Sequence, residues 1–160
     1  MESKAKRVLI IIFSVVIILS LSFLYCLGGF FIPTLNTAPK DTFELIVSEI
    51  PEKINVGDEI TVTARLKNHS LRFFHIGHSS RKPIKIAVLK KGEIFSYTTP
   101  LTSRPMLPLG SFTEELSYIF EEGGEYVVIV KTEIYLGNRE PIDNDYAYDY
   151  SFDDVYIVIE

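Results

Sequence analysis

Three histidines lie close enough in the chain to raise metal binding: His69, His75 and His78, spaced H-x5-H-x2-H. Zinc takes three or four ligands converging at about 2 Å, each ring held by a further group. No cysteine accompanies these histidines, and the H-E-x-x-H helix pattern is absent. Arg81 and Lys82 follow them, and nearby cations oppose a divalent ion. They read as surface or edge histidines. A second group is rich in oxygen: Asp143, Asp145 and Asp149, with Asn144 between and Asp153 and Asp154 behind. Calcium takes oxygen ligands, and an acidic loop at the end of a β-sandwich can offer them. The EF-hand spacing, with its central Gly and closing Glu, is missing. These three aspartates are candidate calcium ligands on an otherwise solvated acidic loop. Tyr146, Tyr148 and Tyr150 interleave with them. Aromatic side chains at a rim make effective anchors, so these tyrosines are candidate contacts for a protein partner.

Catalytic patterns are absent. The chain has no G-x-S-x-G, no P-loop and no dinucleotide-binding glycine run. Its single cysteine is Cys26, in an apolar stretch where it reads as an inert small residue. A thiol enzyme is thereby excluded for everything downstream, and no disulfide can staple that part. The expectation is a non-catalytic protein without a cofactor.

The element that positions everything else is residues 8–32, which carry no charge. A bilayer core asks for about 20 apolar residues at helical rise. Lys4, Lys6 and Arg7 precede it against one acid, Glu2. Positive charge stays on the cytoplasmic side, so residues 1–7 are expected inside and the remainder outside. The run exceeds the 7–15 residues or so of a cleavable signal core, which favours a retained signal-anchor. Two alternatives stay open: cleavage near Ser20-Leu21-Ser22, and lipidation at Cys26, where Tyr25 takes the place of the small residue a lipobox expects.

Composition narrows the partners. The chain has 160 residues and a net charge of −5. Its basic stub is net positive, so the part beyond the anchor is more acidic still. Nucleic acid and anionic lipid are poor partners for such a body. Residues 33–41 hold two prolines and small polar residues and read as a stalk. Residues 42–160 fit one domain of ordinary size.

That domain reads as strands. Residues 43–50 open it, and Asn55-Val56-Gly57-Asp58 turns the chain. In residues 59–68, Ile60, Val62, Ala64 and Leu66 alternate with Thr61, Thr63, Arg65 and Lys67. This period of two buries one face and wets the other. Residues 73–76 form a short strand. Residues 84–89 form another, and a turn at 90–93 leads to a hairpin mate at 94–97. Residues 96–110 hold three prolines and read as an irregular loop crossing between sheets. Residues 112–120 alternate again, and Gly123-Gly124 turns the chain. Residues 125–133 are apolar nearly throughout, as a central strand is. Residues 136–149 form the acidic tyrosine-bearing loop, and 152–159 close the domain. Seven or eight strands without helical period predict an antiparallel β-sandwich preceded by one transmembrane helix.

Two segments carry a resemblance. One is Ile54-Asn55-Val56-Gly57-Asp58-Glu59-Ile60-Thr61-Val62, running on to Leu66-Lys67-Asn68. The other is Leu107-Pro108-Leu109-Gly110, followed by Phe120 and Gly123-Gly124-Glu125-Tyr126-Val127-Val128. Together they resemble the openings and second halves of bacterial extracytoplasmic immunoglobulin-like modules of the cell-adhesion and BsuPI types. The resemblance implies an immunoglobulin-like sandwich, all-β, with its strands joined by these turns. It sets Tyr126 at the start of a late strand, where its hydroxyl can bond back to a corner; a tyrosine that simply packs fits the sequence equally. Unlike vertebrate immunoglobulin domains, the chain has no Trp and no cysteine pair. BsuPI-type domains include a proteinase inhibitor, but no inhibitory loop is matched.

The expectation is a single-pass cell-membrane protein. Its extracytoplasmic domain would bind an unidentified protein partner through sandwich-end loops, chiefly 136–149 and 96–110. The alternatives are an accessory subunit of a membrane complex and a proteinase-inhibitor-like protein. Asn68-His69-Ser70 is formally a glycosylation sequon.

Overall fold

A computed structural model describes residues 2–31, 38–78, 81–96, 102–136, 147–151 and 153–159. It contains one long helix and, among these residues, ten strands arranged in two sheets. The helix, α1, spans Glu2–Phe31. Its window Lys6–Cys26 has a mean hydropathy of 2.9, and none of that window is buried against the rest of the chain. Length and composition suit a membrane anchor or a signal sequence alike. The apolar side chains described in this stretch are largely bare, with Leu9 68% and Leu24 63% exposed.

A short 3-10 turn, Lys40–Thr42, brings the chain into the first sheet. That sheet contains β1 (Phe43–Val47), β3 (Glu59–Asn68) and β7 (Ser111–Ile119), with β3 in the middle. Both pairings are antiparallel, from Phe43 opposite Asn68 and from Glu59 opposite Ile119. The alternation expected of residues 59–68 is met: Ile60, Val62, Ala64 and Leu66 are buried.

The second sheet is built on β8 (Gly124–Leu136), the longest strand. Along one edge β8 pairs with β10 (Val155–Ile159) and β9 (Ala147–Ser151). Along the other it pairs with β5 (Lys85–Lys90) and β4 (Phe74–His78). β6 (Thr102–Met106) lies outside β4, and the two-residue β2 (Lys53–Ile54) runs parallel to β10. With neighbours on both edges, β8 takes the central place that its apolar run predicted.

The expected seven or eight antiparallel strands are corrected to ten among the described residues, with β2 and β10 paired in parallel, and three further sequence expectations are corrected. Of the hairpin mate expected for β5 at 94–97, residues 94–96 form no strand and Tyr97 lies outside the described residues; the ladder of β5 is to β8. Ile94 is 88% exposed, so it offers no buried face on which a strand could settle. The stretch read as an irregular loop at 96–110 contains β6, which tolerates Pro105 because it is an outer strand. The chain does cross between sheets after it, from β6 to β7. The stretch read as a loop to residue 149 already contains β9 from Ala147.

Buried side chains of both sheets meet between them. Phe43 of β1 sets its ring edge-on to Phe74 of β4, centroids 5.1 Å apart. At the other end of the sandwich Phe120 packs edge-on against Tyr118 and Tyr126, each at 5.0 Å. Burying each large apolar side chain contributes about 1.5–3 kcal/mol. With no disulfide available, the stability of the body rests on this core and its strand ladders.

The two ends differ. The end of β3 and the starts of β1, β4 and β7 share one end, where α1 joins: Phe73 donates its backbone N–H to the Cys26 carbonyl at 3.0 Å. We call this the anchor end. The start of β3 and of β8 and the ends of β5, β7 and β10 share the other, the far end.

Candidate functional site

A cleft of about 380 Å³ opens at the far end, lined by Lys90, Glu93, Tyr118, Ile119, Glu121, Glu122 and Tyr126. Ladder register brings these residues together. Lys90 closes β5 opposite Tyr126 of β8, while Tyr118 and Ile119 end β7. The turn after Lys90 is closed twice, by Glu93 N–H to the Lys90 carbonyl at 3.0 Å and by Lys90 N–H to the Glu93 carboxylate at 2.9 Å. Gly92 sits in it at φ 97°, a conformation that side chains resist. The Tyr126 hydroxyl donates to the Glu122 carbonyl at 3.1 Å, fixing the turn from β7 to β8.

The floor is therefore aromatic and the rim acidic. Lys90 Nζ lies 2.8 Å from Glu122 Oε2. The hydrogen bond and charge of Glu122 raise the Lys90 ammonium above its usual range, and the same bond to Lys90 lowers the Glu122 carboxyl. Burial first, then the neighbouring Tyr126 and the carboxylates of Glu93, Glu121 and Glu122, raise the Tyr118 phenol. Tyr118 thus stays a hydrogen-bond donor at neutral pH. Glu93, Glu121 and Glu122, of which Glu122 is paired to Lys90, line the cleft together with two tyrosine rings, and such groups can accept a cation. Ring faces attract cations, and carboxylates accept their N–H bonds. Among the described residues the lining contains no cysteine, serine or histidine.

The residues singled out in the sequence are scattered. Asp143, Asp145 and Tyr146 lie outside the described residues. Tyr148 and Asp149 stand in β9 opposite Ile134 and Glu133. Tyr150, opposite Thr132, is half-buried and packs against the core. β8 ends and β9 begins at the anchor end, away from the cleft.

The histidines do not converge either. His69 Nε2 lies 2.7 Å from Glu44 Oε2 at the surface. His78 is fully buried, correcting its reading as a surface or edge residue, and its Nδ1 lies 3.1 Å from the Thr102 hydroxyl. His75 is half-buried between them in β4, and burial lowers its pKa. Among the described residues no three His, Cys, Asp or Glu side chains gather as metal ligands.

Sequence reasoning passed over Asn68. It is fully buried and stitches two loops together. Its Nδ2 donates to the carbonyls of Arg72 and Leu107, both at 3.0 Å, and its Oδ1 accepts from the Ser70 N–H at 2.9 Å and hydroxyl at 2.8 Å. The signal was present: Asn68 continues the buried parity of Ile60, Val62, Ala64 and Leu66. A polar residue at a core position must be bonded. The same burial removes the sequon amide from reach of a glycosylating enzyme.

No protein-family model matches the chain, and no curated protein matches it. Among solved structures, the seventh PapD-like domain of human CEP192 aligns at 17% identity with a TM-score of 0.40, over 78% of this chain and 89% of that one. A β-glucosidase from Listeria innocua aligns at 14% and 0.41, over 73% of this chain and 16% of that one. The sporulation control protein Spo0M of Bacillus subtilis aligns at 14% and 0.39, over 74% and 49%. The chain thus spans less than two thirds of the last two. These are likenesses of general form at low identity.

Proposed function

We propose that the protein is a non-catalytic recognition module, immunoglobulin-like in fold. Residues 8–32 hold it in the cell membrane with the N-terminus cytoplasmic and the β domain outside. The far-end cleft would receive a basic or amphipathic segment of a protein partner. One observation carries this proposal: the apolar helix joins one end of the sandwich, while the acidic cleft opens at the other. A body tethered in this way turns the carboxylates of the cleft, Glu93, Glu121 and Glu122, away from the membrane and toward whatever approaches.

Supporting features are the unburied apolar helix, the basic residues before it, and a cleft whose aromatic floor is held by the Tyr126–Glu122 bond. The test has two arms on the full chain. Protease added to intact cells should degrade the β domain, and protection of the domain would overturn the proposed orientation. Partners crosslinked in membranes should be lost on joint reversal of Glu93, Glu121 and Glu122 to Lys. Unchanged capture by the reversed variant would overturn the cleft as the binding face.

A further inference from the structure

The anchor end presents leucines to solvent. Leu71 is 66% exposed, Leu107 61% and Leu109 57%. They occupy two neighbouring loops, residues 69–73 and 107–110, which Asn68 and the Leu109 N–H to Ser70 carbonyl bond (3.0 Å) hold side by side. The second loop turns on the Gly110 N–H to Leu107 carbonyl bond, with Pro108 next in the turn and Leu109 after it at φ 55°. Glycine or asparagine normally takes that third place. It is the one non-glycine residue with positive φ among those described, and it holds an apolar side chain in water. Neither the strain nor the exposure serves the core.

The location of these leucines identifies what covers them. At 1.5 Å per residue, the helix from Val8 to Cys26 rises about 28 Å, close to the 30 Å or so of a hydrocarbon core. Cys26 then stands at the outer boundary of the lipid, and its carbonyl accepts the N–H of Phe73. Beside that bond, the Arg72 guanidinium lies over the Tyr25 ring at 5.2 Å and the Phe74 ring at 5.3 Å. Tyrosine and arginine at a helix exit are the usual residents of a headgroup layer. Among the described residues the charges near this end include Asp41, Lys67 and the His69–Glu44 pair, and the acidic segment that joins β8 to β9, with Asp143 and Asp145, also leaves and returns here. The carboxylates of Glu93, Glu121, Glu122 and Glu125 lie at the far end, so they do not repel a lipid surface.

We propose that Leu71, Leu107 and Leu109, flanking Arg72, seat in the headgroup–acyl boundary of the membrane that α1 crosses, and so fix the domain upright on its anchor. The proposal rests on the membrane-anchor reading of α1. Loops of this kind add buried apolar area at the interface without spanning it. They would also set the height and tilt at which the far-end cleft is presented.

The test uses the full chain in phosphatidylcholine vesicles, with Cys26→Ser as background and single cysteines carrying an environment-sensitive fluorophore. Labels are placed at Leu71→Cys, Leu109→Cys, Ile17→Cys and Glu121→Cys. The expected result is a blue-shifted emission at positions 71 and 109, quenched by nitroxide lipids with a shallow label, while position 121 stays aqueous. If position 17 is quenched by deep nitroxide lipids but 71 and 109 behave like 121, the helix is anchored and the leucines are not seated. If position 17 is not quenched, the anchor reading fails and the seating with it. Blue-shifted labels at 71 and 109 that lipid nitroxides leave unquenched would mean that protein covers these leucines, and would also overturn the proposal.

Discussion

The side-chain amide of Asn68 donates to the carbonyl of Leu107 at 3.0 Å, joining the end of β3 to a turn far along the chain. Removing the buried Asn68 amide takes a partner from the Arg72 carbonyl and from the Ser70 donors, and one of two partners from the Leu107 carbonyl, which also accepts the Gly110 N–H. Each of the four bonds lost contributes about 0.5–1.5 kcal/mol, so Asn68→Ala should destabilise the domain by about 2–4 kcal/mol. Denaturant unfolding of the detergent-solubilised chain measures this. A loss near zero would mean that the two loops hold each other without it.

The ladder of β3 was legible to the residue because one face is dry and the other wet, and that contrast is written in alternation. The turn at Asn55-Val56-Gly57-Asp58 was legible for a similar local reason: Asp58 N–H bonds the Asn55 carbonyl, and Gly57 takes φ 91°. Tyr126, placed by resemblance at a corner, does bond back to Glu122. What escaped was pairing at a distance. Nothing in residues 84–97 announces that β5 will prefer β8 over its own neighbour. The far-end cleft escaped for the same reason, since Lys90, Tyr118 and Glu122 meet only through the β5–β8 and β7–β8 connections. The residues favoured as a site were chosen for local density of aspartate and tyrosine, and density says nothing about which end of the sandwich they reach.

Leu109 separates folding from surface function. A left-handed conformation costs an L-residue about 1–2 kcal/mol, against a glycine entropy penalty of about 0.5–1. Leu109→Gly should therefore leave thermal stability unchanged or raise it slightly, by up to about 1 kcal/mol. A clear fall in the melting temperature of the solubilised chain would show that the leucine stabilises the fold. Gly110 contrasts with it, because a Cβ there would sit 2.9 Å from the Leu107 carbonyl oxygen. Gly110→Ala should destabilise the turn that Leu109→Gly leaves intact.

Register sets Asp149 opposite Glu133, whose carboxylate already accepts the Tyr135 hydroxyl. Like charges at opposed ladder positions are unfavourable, by about 0.2–1 kcal/mol relative to neutral pairs. Asp149→Asn should raise stability by about that amount, in calcium or in chelator. If the substitution instead lowers the melting temperature, and calcium raises that of the unsubstituted protein, the acidic stretch from Asp143 to Asp149 holds a cation. The same melts then decide the calcium question.

His75 supplies a pH dependence with a defined sign. Burial favours its neutral form, so its pKa in the folded state lies below the ordinary 6.5. Above 6.5 both folded and unfolded chains carry it neutral, and it contributes nothing to the slope. Below 6.5 the unfolded chain takes up a proton that the folded chain refuses, so stability falls as pH drops, until the folded-state pKa is reached. Carboxylates titrate in the acid range too, so the quantity to compare is the difference between the parent and His75→Gln. That difference should be flat above neutrality and shift in favour of the variant as pH falls from about 6.5. The same difference at every pH would place the His75 ring in contact with water in the folded protein.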